Sequence, residues 1–412
     1  MLFRSVYINT QPPADASSIN WRNSVGSYGL TKSYLQWNTS VNGRRISGYS
    51  SYMSSDGYRD HNAMEVIRLG ANADIYSSST NVVDLTAAWV AKPEAQHPGS
   101  LDKEAVQEDR TQPRNSFLES DAGEKAYQGQ LGLNWTHSRD QLRIENTVYG
   151  VRRLLQNRLP FGYITLERWA GGARSTTQYD ISDIWRVSGG LDFSYQHDNR
   201  LERNNDGGQP GDQVMLDQLE EVVNLAGFVQ TTLELSNWRF TGSLRYDWLK
   251  FSTDDYLDRI SNEDIDRSGD RDFNALSPYV GIQYNTERVR YFANFGTAFQ
   301  SPTTTELVNH PDQQAGFNPY LDPQTSLGGE AGLATLGRYK GFSSEITFFY
   351  IDIQDLLLPY QEASDGPTFY ENSGNTRHAG MELQLRWRPE GLPFSAIGSY
   401  SLTKAQFVDF PN

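Results

Sequence analysis

Between Met381 and Arg388 every second residue is apolar: Met381, Leu383, Leu385 and Trp387 alternate with Glu382, Gln384, Arg386 and Arg388. That is the period of a β-strand with one dry face and one wet face. Phe240, Leu244, Tyr246 and Trp248 alternate in the same way with Thr241, Ser243, Arg245 and Asp247. Such segments recur from Trp21 to Phe407, and several run ten residues or more. That is about twice the mean strand of soluble sheets and about what a tilted strand needs to cross a bilayer.

The connections alternate too. Asn42-Gly43, Ser77-Ser78-Ser79, Ser138-Arg139-Asp140, Ser236-Asn237 and Thr286-Glu287 are short turns. Between them lie a polar loop from Lys92 to Glu124, a medium loop from Leu155 to about Gly172, and the Asn204 to Asp217 loop. An acidic stretch from Asp254 to Asp272 and a Pro-rich stretch holding Pro302, Pro311, Pro319 and Pro323 complete the long set. Membrane barrels carry short turns at one rim and long loops at the other. A soluble sheet shows the same alternation within a strand, so strand length, strand number and loop asymmetry decide. They select an all-β chain, an antiparallel transmembrane β-barrel of about seventeen strands, with Trp89, Trp135, Trp185, Trp238 and Trp248 as interface aromatics.

Composition agrees. The mean hydropathy is -0.63, too polar for a helical membrane protein, and no run of about 18 apolar residues exists. The net charge of -15 argues against nucleic acid, whose binding rests on basic contacts to phosphate. With no cysteine in 412 residues, disulfides and thiolate chemistry are excluded. The N-terminus lacks a basic region followed by an apolar core, so it does not read as a signal peptide.

Three motifs in one order carry a resemblance. The first is Gly296-x-x-Phe299-x-Ser301-Pro302-Thr303-x-x-Glu306-Leu307, followed by Asn318-Pro319-x-Leu321-x-Pro323 and Glu330-x-Gly332-Leu333. The others are Ser55-Asp56-Gly57-Tyr58-Arg59-Asp60-His61, and Asn372-Ser373-Gly374-Asn375-Thr376-Arg377-x-x-Gly380-Met381-Glu382. Together they resemble TonB-dependent outer-membrane receptors, and among these a subgroup that includes pyrroloquinoline quinone receptors. The step usually read as LkPE is Leu321-Asp322-Pro323-Gln324 here.

The resemblance implies that residues 1–19 are the end of a plug domain and its connection, with a remnant in Val6 to Thr10, and that 20–412 are barrel. Large plugged transporters have about 22 strands, so the N-terminal plug, the TonB-contacting segment and about five C-terminal strands are expected to be missing. An open sheet has two unpaired edges, costly in lipid, so these residues alone are not expected to close. The implied setting is the outer membrane of a Gram-negative bacterium, with lipopolysaccharide, a small ligand and the TonB-ExbB-ExbD complex as partners. The implied function is TonB-energised import of a scarce nutrient, a ferric siderophore. Pyrroloquinoline quinone as ligand, a passive porin-like barrel, and a soluble β-rich protein are the alternatives.

No nucleophile elbow, zinc-protease helix, P-loop or dinucleotide fingerprint appears. The six histidines, at 61, 97, 137, 197, 310 and 378, show no metal-ligand spacing. No catalytic residue and no cofactor is therefore expected. Ligand-contact candidates are loop residues pairing aromatic with basic groups: Tyr58, Arg59 and His61; Trp169 and Arg174; Arg377 and His378. The competing reading makes the Arg59 and Arg377 segments structural motifs at loop bases. The stretch from Asp254 to Asp272 has eight acidic residues against three basic ones. It is either a solvated loop or, through Asp264, Asp266, Asp270 and Asp272, a calcium-like site bridging lipopolysaccharide phosphates.

Overall fold

The computed structural model describes residues 17–257, 268–308, 317–337, 341–361 and 368–409. The remnant expected at Val6 to Thr10, and Asp264, Asp266 and His310, lie outside them. The first strands are β1 (Ser18–Val25), β2 (Thr31–Val41), β3 (Arg44–Ser55), β4 (Met64–Ser77) and β5 (Asn81–Gln96). After them come two short helices, α1 (Lys103–Glu108) and α2 (Asn115–Glu119). Then follow β6 (Gly123–Arg139), β7 (Leu142–Leu159), β8 (Gly162–Ser182), β9 (Trp185–Asp206), β10 (Gln209–Leu235), β11 (Trp238–Asp255), β12 (Gly269–Asn285) and β13 (Val289–Gln300). Helix α3 (Thr304–Val308) precedes β14 (Gln324–Thr335) and β15 (Phe342–Gln354). A small hairpin, β16 (Leu357–Tyr360) with β17 (Phe369–Asn372), leads to β18 (Asn375–Trp387) and β19 (Ala396–Asp409).

Apart from that hairpin, the strands form one seventeen-stranded sheet. Each strand pairs antiparallel with the next in the chain. Among the described residues no ladder joins β1 to β19. The short turns lie together at one end. Asn42 and Gly43, with φ of 53° and 75°, show why an Asn-Gly pair suits this place: both residues must be left-handed to match the strand twist.

Two expected loops are strand instead. Residues 156–172 continue β7 and open β8, joined by 160–161 alone, and residues 204–217 belong to β9 and β10. Pro210 and the polar run around it hide the second case from a periodicity reading. The sheet absorbs them with register shifts between Pro210 and Val214 and between Val214 and Leu216, and bulges are where strands tolerate proline. Gly207 and Gly208, both at positive φ, make the turn.

Alternation and register sort the faces. On one face lie Leu131, Leu191, Leu225, Val229, Leu276, Val280, Phe295 and Phe348, all well exposed. A row of aromatics borders this apolar band near the short turns: Trp135, Trp185, Trp238, Tyr284, Tyr291 and Trp387. A second row holds Tyr127, Trp169, Tyr195, Tyr246 and Phe299. Eight to ten residues separate Trp185 from Tyr195, Trp238 from Tyr246 and Tyr291 from Phe299. At about 3.3 Å per residue and a tilt near 40°, the rows stand roughly 20–25 Å apart, the height of a lipid-facing band between its aromatic girdles. Of the five tryptophans expected at interfaces, Trp135, Trp185 and Trp238 stand in the row beside the short turns, while Trp89 and Trp248 lie toward the long-loop end.

On the opposite, inner face large aromatics lie across glycines of the neighbouring strand. A Cβ on Gly70 would come within 2.2 Å of the Tyr49 ring, and one on Gly380 would meet Leu402 O at 2.2 Å and the Phe349 ring at 2.7 Å. The glycines let these rings lie flat on the wall. Gly380→Val is therefore expected to reduce folded protein in membranes several-fold, measured as the heat-modifiable band. Gly242→Ala, whose nearest neighbour would be Thr231 Cγ2 at 3.8 Å, should leave that band unchanged.

The long-loop end has its own packing. Leu307 and Leu321, both 0% exposed, join Phe251, Phe273 and Phe317 in a hydrophobic cluster. Phe251 and Phe273 belong to the inner face, so residues 301–308 and 317–323 fold inward over the mouth, against Leu357 and Tyr370 of the β16–β17 hairpin. Leu307→Ala should cost about 2–5 kcal/mol of local stability, and limited proteolysis should then cleave the 301–323 connection faster with the sheet intact.

Candidate functional site

The mouth is built by loops that bind one another through backbone groups. Arg59, on the connection from β3 to β4, donates Nε to Gln112 O at 3.1 Å and Nη2 to Pro98 O at 3.1 Å and Gln112 O at 2.8 Å; Nη1 donates to Gly99 O. One guanidinium thus closes the 97–122 loop on the 56–63 connection. His61, held at a φ of 57°, places Nε2 2.8 Å from Ala122 O. Tyr58 packs edge-on against Tyr28 with ring centroids 5.4 Å apart and remains exposed. Within the 97–122 loop, the Thr111 backbone N–H and hydroxyl donate to Asp109 Oδ1 at 2.8 and 2.6 Å, which holds that carboxyl below its usual range.

Four further side chains, of which only Asn372 stands in a motif quoted from the sequence, extend the network. Arg158 bonds Glu94 at 2.6 Å and Asp121 at 3.3 Å. Asn205 donates to Ser120 O at 2.8 Å and Leu159 O at 3.0 Å. Arg271 reaches Leu321 O at 2.9 Å and Asn318 O at 3.3 Å. Asn372 donates to Asp322 O and Asp355 O while accepting from Asp322 N. The motif residues Asn318, Leu321 and Asn372 are thus joined in one knot. Asn372 opens the Asn372-Ser373-Gly374 run of the third motif.

Trp169 and Arg174, expected on a loop, lie within β8, and Arg377 and His378 lie within β18. Their strands run on because neighbours pair with them beyond the apolar band. Alternation then separates each pair. Trp169, 56% exposed, stands on the outer face beneath Arg152, whose guanidinium lies 4.4 Å from its ring. Arg174 points inward to Asp192. Arg377 shares the outer face with its partner Asp352, 2.9 Å away, so His378 faces inward. Of the acidic set, Asp270 and Asp272 are described; they lie on β12, Asp270 with Lys250 Nζ at 3.8 Å. Among the described residues no three metal-ligating side chains gather.

The inner wall between β8 and β11 is ion-paired. Arg245 joins Asp192 at 2.7 Å and Asp247 at 2.8 Å. Arg168 grips Asp198 with two bonds, at 2.8 and 2.6 Å, and Asp198 is 0% exposed. Such forked pairs fix orientation as well as charge. Arg200 bonds Glu202 and Glu220 and reaches Thr305 Oγ1 of α3 at 3.3 Å, tying the wall to the inward-folded loop. The inner face is thus lined with ion pairs beneath residues 301–308 and 317–323.

Known proteins share this architecture. The ferric citrate transporter FecA superposes with a TM-score of 0.72 at 17% identity, covering 94% of this chain and 59% of that one. The copper transporter OprC gives 0.74 at 17% identity, covering 94% and 61%. The ferric yersiniabactin uptake receptor FyuA from Yersinia pestis gives 0.74 at 12% identity, covering 97% and 62%. At these identities the likeness is one of fold, and the chain spans about three fifths of each structure's length. The vitamin B12 transporter BtuB of Vibrio vulnificus (strain CMCP6) is 25% identical over 157 residues, 38% of this chain and 20% of that protein. A family model described as TonB dependent receptor-like, beta-barrel, matches residues 69–412. By that match, over most of its length, the chain belongs to the TonB-dependent receptor β-barrel family.

Proposed function

We propose that this chain is the barrel portion of a Gram-negative outer-membrane receptor that imports a ferric siderophore, energised by the TonB-ExbB-ExbD complex. The observation that carries the reading is the combination of two faces. An apolar band between aromatic rows suits lipid, and behind it stands an ion-paired wall whose mouth is covered by residues 301–308 and 317–323. A roofed mouth suits gated uptake better than a passive pore. The named relatives transport ferric citrate and take up ferric yersiniabactin, which favours an iron chelate. The vitamin B12 and copper transporters support the second reading, a non-iron ligand such as pyrroloquinoline quinone. Ligand contact belongs to exposed loop side chains such as Tyr58 and Tyr320, which stand on loops that the Arg59 and Arg271 networks hold in place.

Cells lacking the protein should lose accumulation of radiolabelled ferric siderophore, and a protonophore should abolish it in complemented cells. Accumulation of the quinone instead would move the assignment to the second reading, and uptake indifferent to the protonophore would move it to a passive barrel. Arg59→Ala should remove about 2 kcal/mol of loop-closing hydrogen bonds, lower uptake several-fold and expose the 97–122 loop to protease. Trp169→Phe, on the outer face, should leave uptake unchanged.

A further inference from the structure

From β3 to β11 nearly every basic side chain on the inner face has a carboxylate beside it. Arg45 has Asp74 at 2.8 Å, Arg143 has Glu145 at 3.8 Å, and Lys92 has Glu124. Arg186 has Asp180 at 2.5 Å and Arg239 has Glu234 at 2.7 Å. The arginines of β8, β9 and β11 described above are paired as well. Arg68 and Arg153 are the exceptions: among the described residues neither has a carboxylate partner.

Register puts these two on one row. Arg68 on β4 stands opposite Val90 on β5, Val90 opposite Gln128 on β6, and Gln128 opposite Arg153 on β7. Neighbouring strands lie about 4.8 Å apart, so the two arginines span roughly 14 Å of wall. Between them β5 carries the short Ala88 and Val90, and β6 carries the amides of Gln128 and Gln130, whose side chains take no hydrogen bond from the described residues. On its other side Arg153 stands directly opposite Arg168, which is already held by Asp198. Like charges placed so are unfavourable, and Arg153 is half-buried, so its lack of a counter-charge is costly. Beside Arg68, which is exposed, Tyr49 lies over Gly70 and stacks with Tyr34, their ring centroids 6.3 Å apart. Gln128 follows Tyr127 of the second aromatic row, so the arginine row stands a few residues along β6 from the 97–122 loop that Arg59 closes.

We propose that Arg68 and Arg153, with the amides of Gln128 and Gln130 between them, form an anion subsite on the inner wall. The ligand it takes is a small polyanion whose charge sits on catecholate or carboxylate oxygens. Forked guanidinium N–H groups meet paired oxygens, and the amide N–H groups meet the lone pairs that remain. Two guanidiniums set apart along a wall match a ligand charged on more than one side; a single monovalent anion would leave one of them unmatched. The rings of Tyr34 and Tyr49 offer flat surface to an aromatic ligand. An uncharged hydroxamate chelate would leave both arginines without a counter-charge. The net charge of -15 gives no hint of such a site, which only the register reveals. The subsite rests on the import reading above, because it names the charge class of the ligand that the mouth admits.

The test is binding of radiolabelled probes to whole cells carrying the receptor, treated with a protonophore so that binding alone is read. The probes are a ferric tris-catecholate, ferric citrate, an uncharged ferric tris-hydroxamate and pyrroloquinoline quinone. At least one anionic probe should bind, and Arg68→Gln and Arg153→Gln should each weaken it about ten-fold. Arg153→Glu should weaken it further, and Arg153→Lys should keep most of the affinity. Heat-modifiability checks that the variants are folded; should Arg153→Gln fail that check, Arg68→Gln, at an exposed position, carries the test. No binding by any anionic probe, or anionic binding unchanged in the variants, would overturn the proposal. So would equal weakening of charged and uncharged probes, the outcome expected if the arginines pair with carboxylates elsewhere in the receptor. Accumulation of the hydroxamate alone in untreated cells would sink the subsite and keep the iron-import reading. Quinone binding that is lost in the variants, with no iron chelate bound, would keep the subsite and sink that reading.

Discussion

Every other feature depends on backbone hydrogen bonding between sequential neighbours. A strand in hydrocarbon has no water to satisfy its N–H and C=O groups, so each must find a partner in the next strand. The simplest solution is a meander in which every strand pairs with the one before it, and apart from the β16–β17 hairpin that order holds from β1 to β19. Once the ladder is set, the period of two assigns each side chain to lipid or lumen with no further choice. The aromatic rows, the apolar band and the ion-paired inner wall follow from one register.

The inner wall meets a second requirement. Charges there stand behind a layer of lipid-facing residues, and an unpaired one would be expensive. The wall answers with pairs drawn from nearby strands: Arg168 on β8 with Asp198 on the adjacent β9, and, across β10, Arg245 on β11 with Asp192 on β9. The glycines opposite Tyr49 and Phe349 do the complementary task for bulk. Large rings then lie along the wall instead of across the lumen.

Much of this was legible in the residues. Met381 to Arg388 and Phe240 to Trp248 announced their faces, and Asn42-Gly43 announced its turn. The motif around Phe299 and Leu321 led to the family before any contact was known. What stayed hidden was long-range. Nothing local says that Arg59 will bond carbonyls near residues 98 and 112, since the 97–122 loop that receives it has no periodic pattern. The stretches 156–172 and 204–217 read as loops because Pro160 and Gly162 in the first, and Gly207 and Pro210 in the second, mask strands that their neighbours stabilise. The separation of Trp169 from Arg174, and of Arg377 from His378, was available in principle. Once those residues are placed in strands, an odd step along the chain changes the face.

The unequal lengths of the strands carry a last consequence. β10 has 27 residues and β9 has 22, against 8 in β1 and 12 in β13. At about 3.3 Å per residue and a tilt near 40°, β10 rises roughly 70 Å, and only about 25 Å of that is needed within hydrocarbon. The remainder, braced by β7, β8 and β9 and locked by the turn at Gly207-Gly208, stands as a stiff fin on one side of the opening. Among the described strands the long-loop rim is therefore uneven, tall at β7 to β10 and low at β1 to β3, and rigid sheet sets that difference.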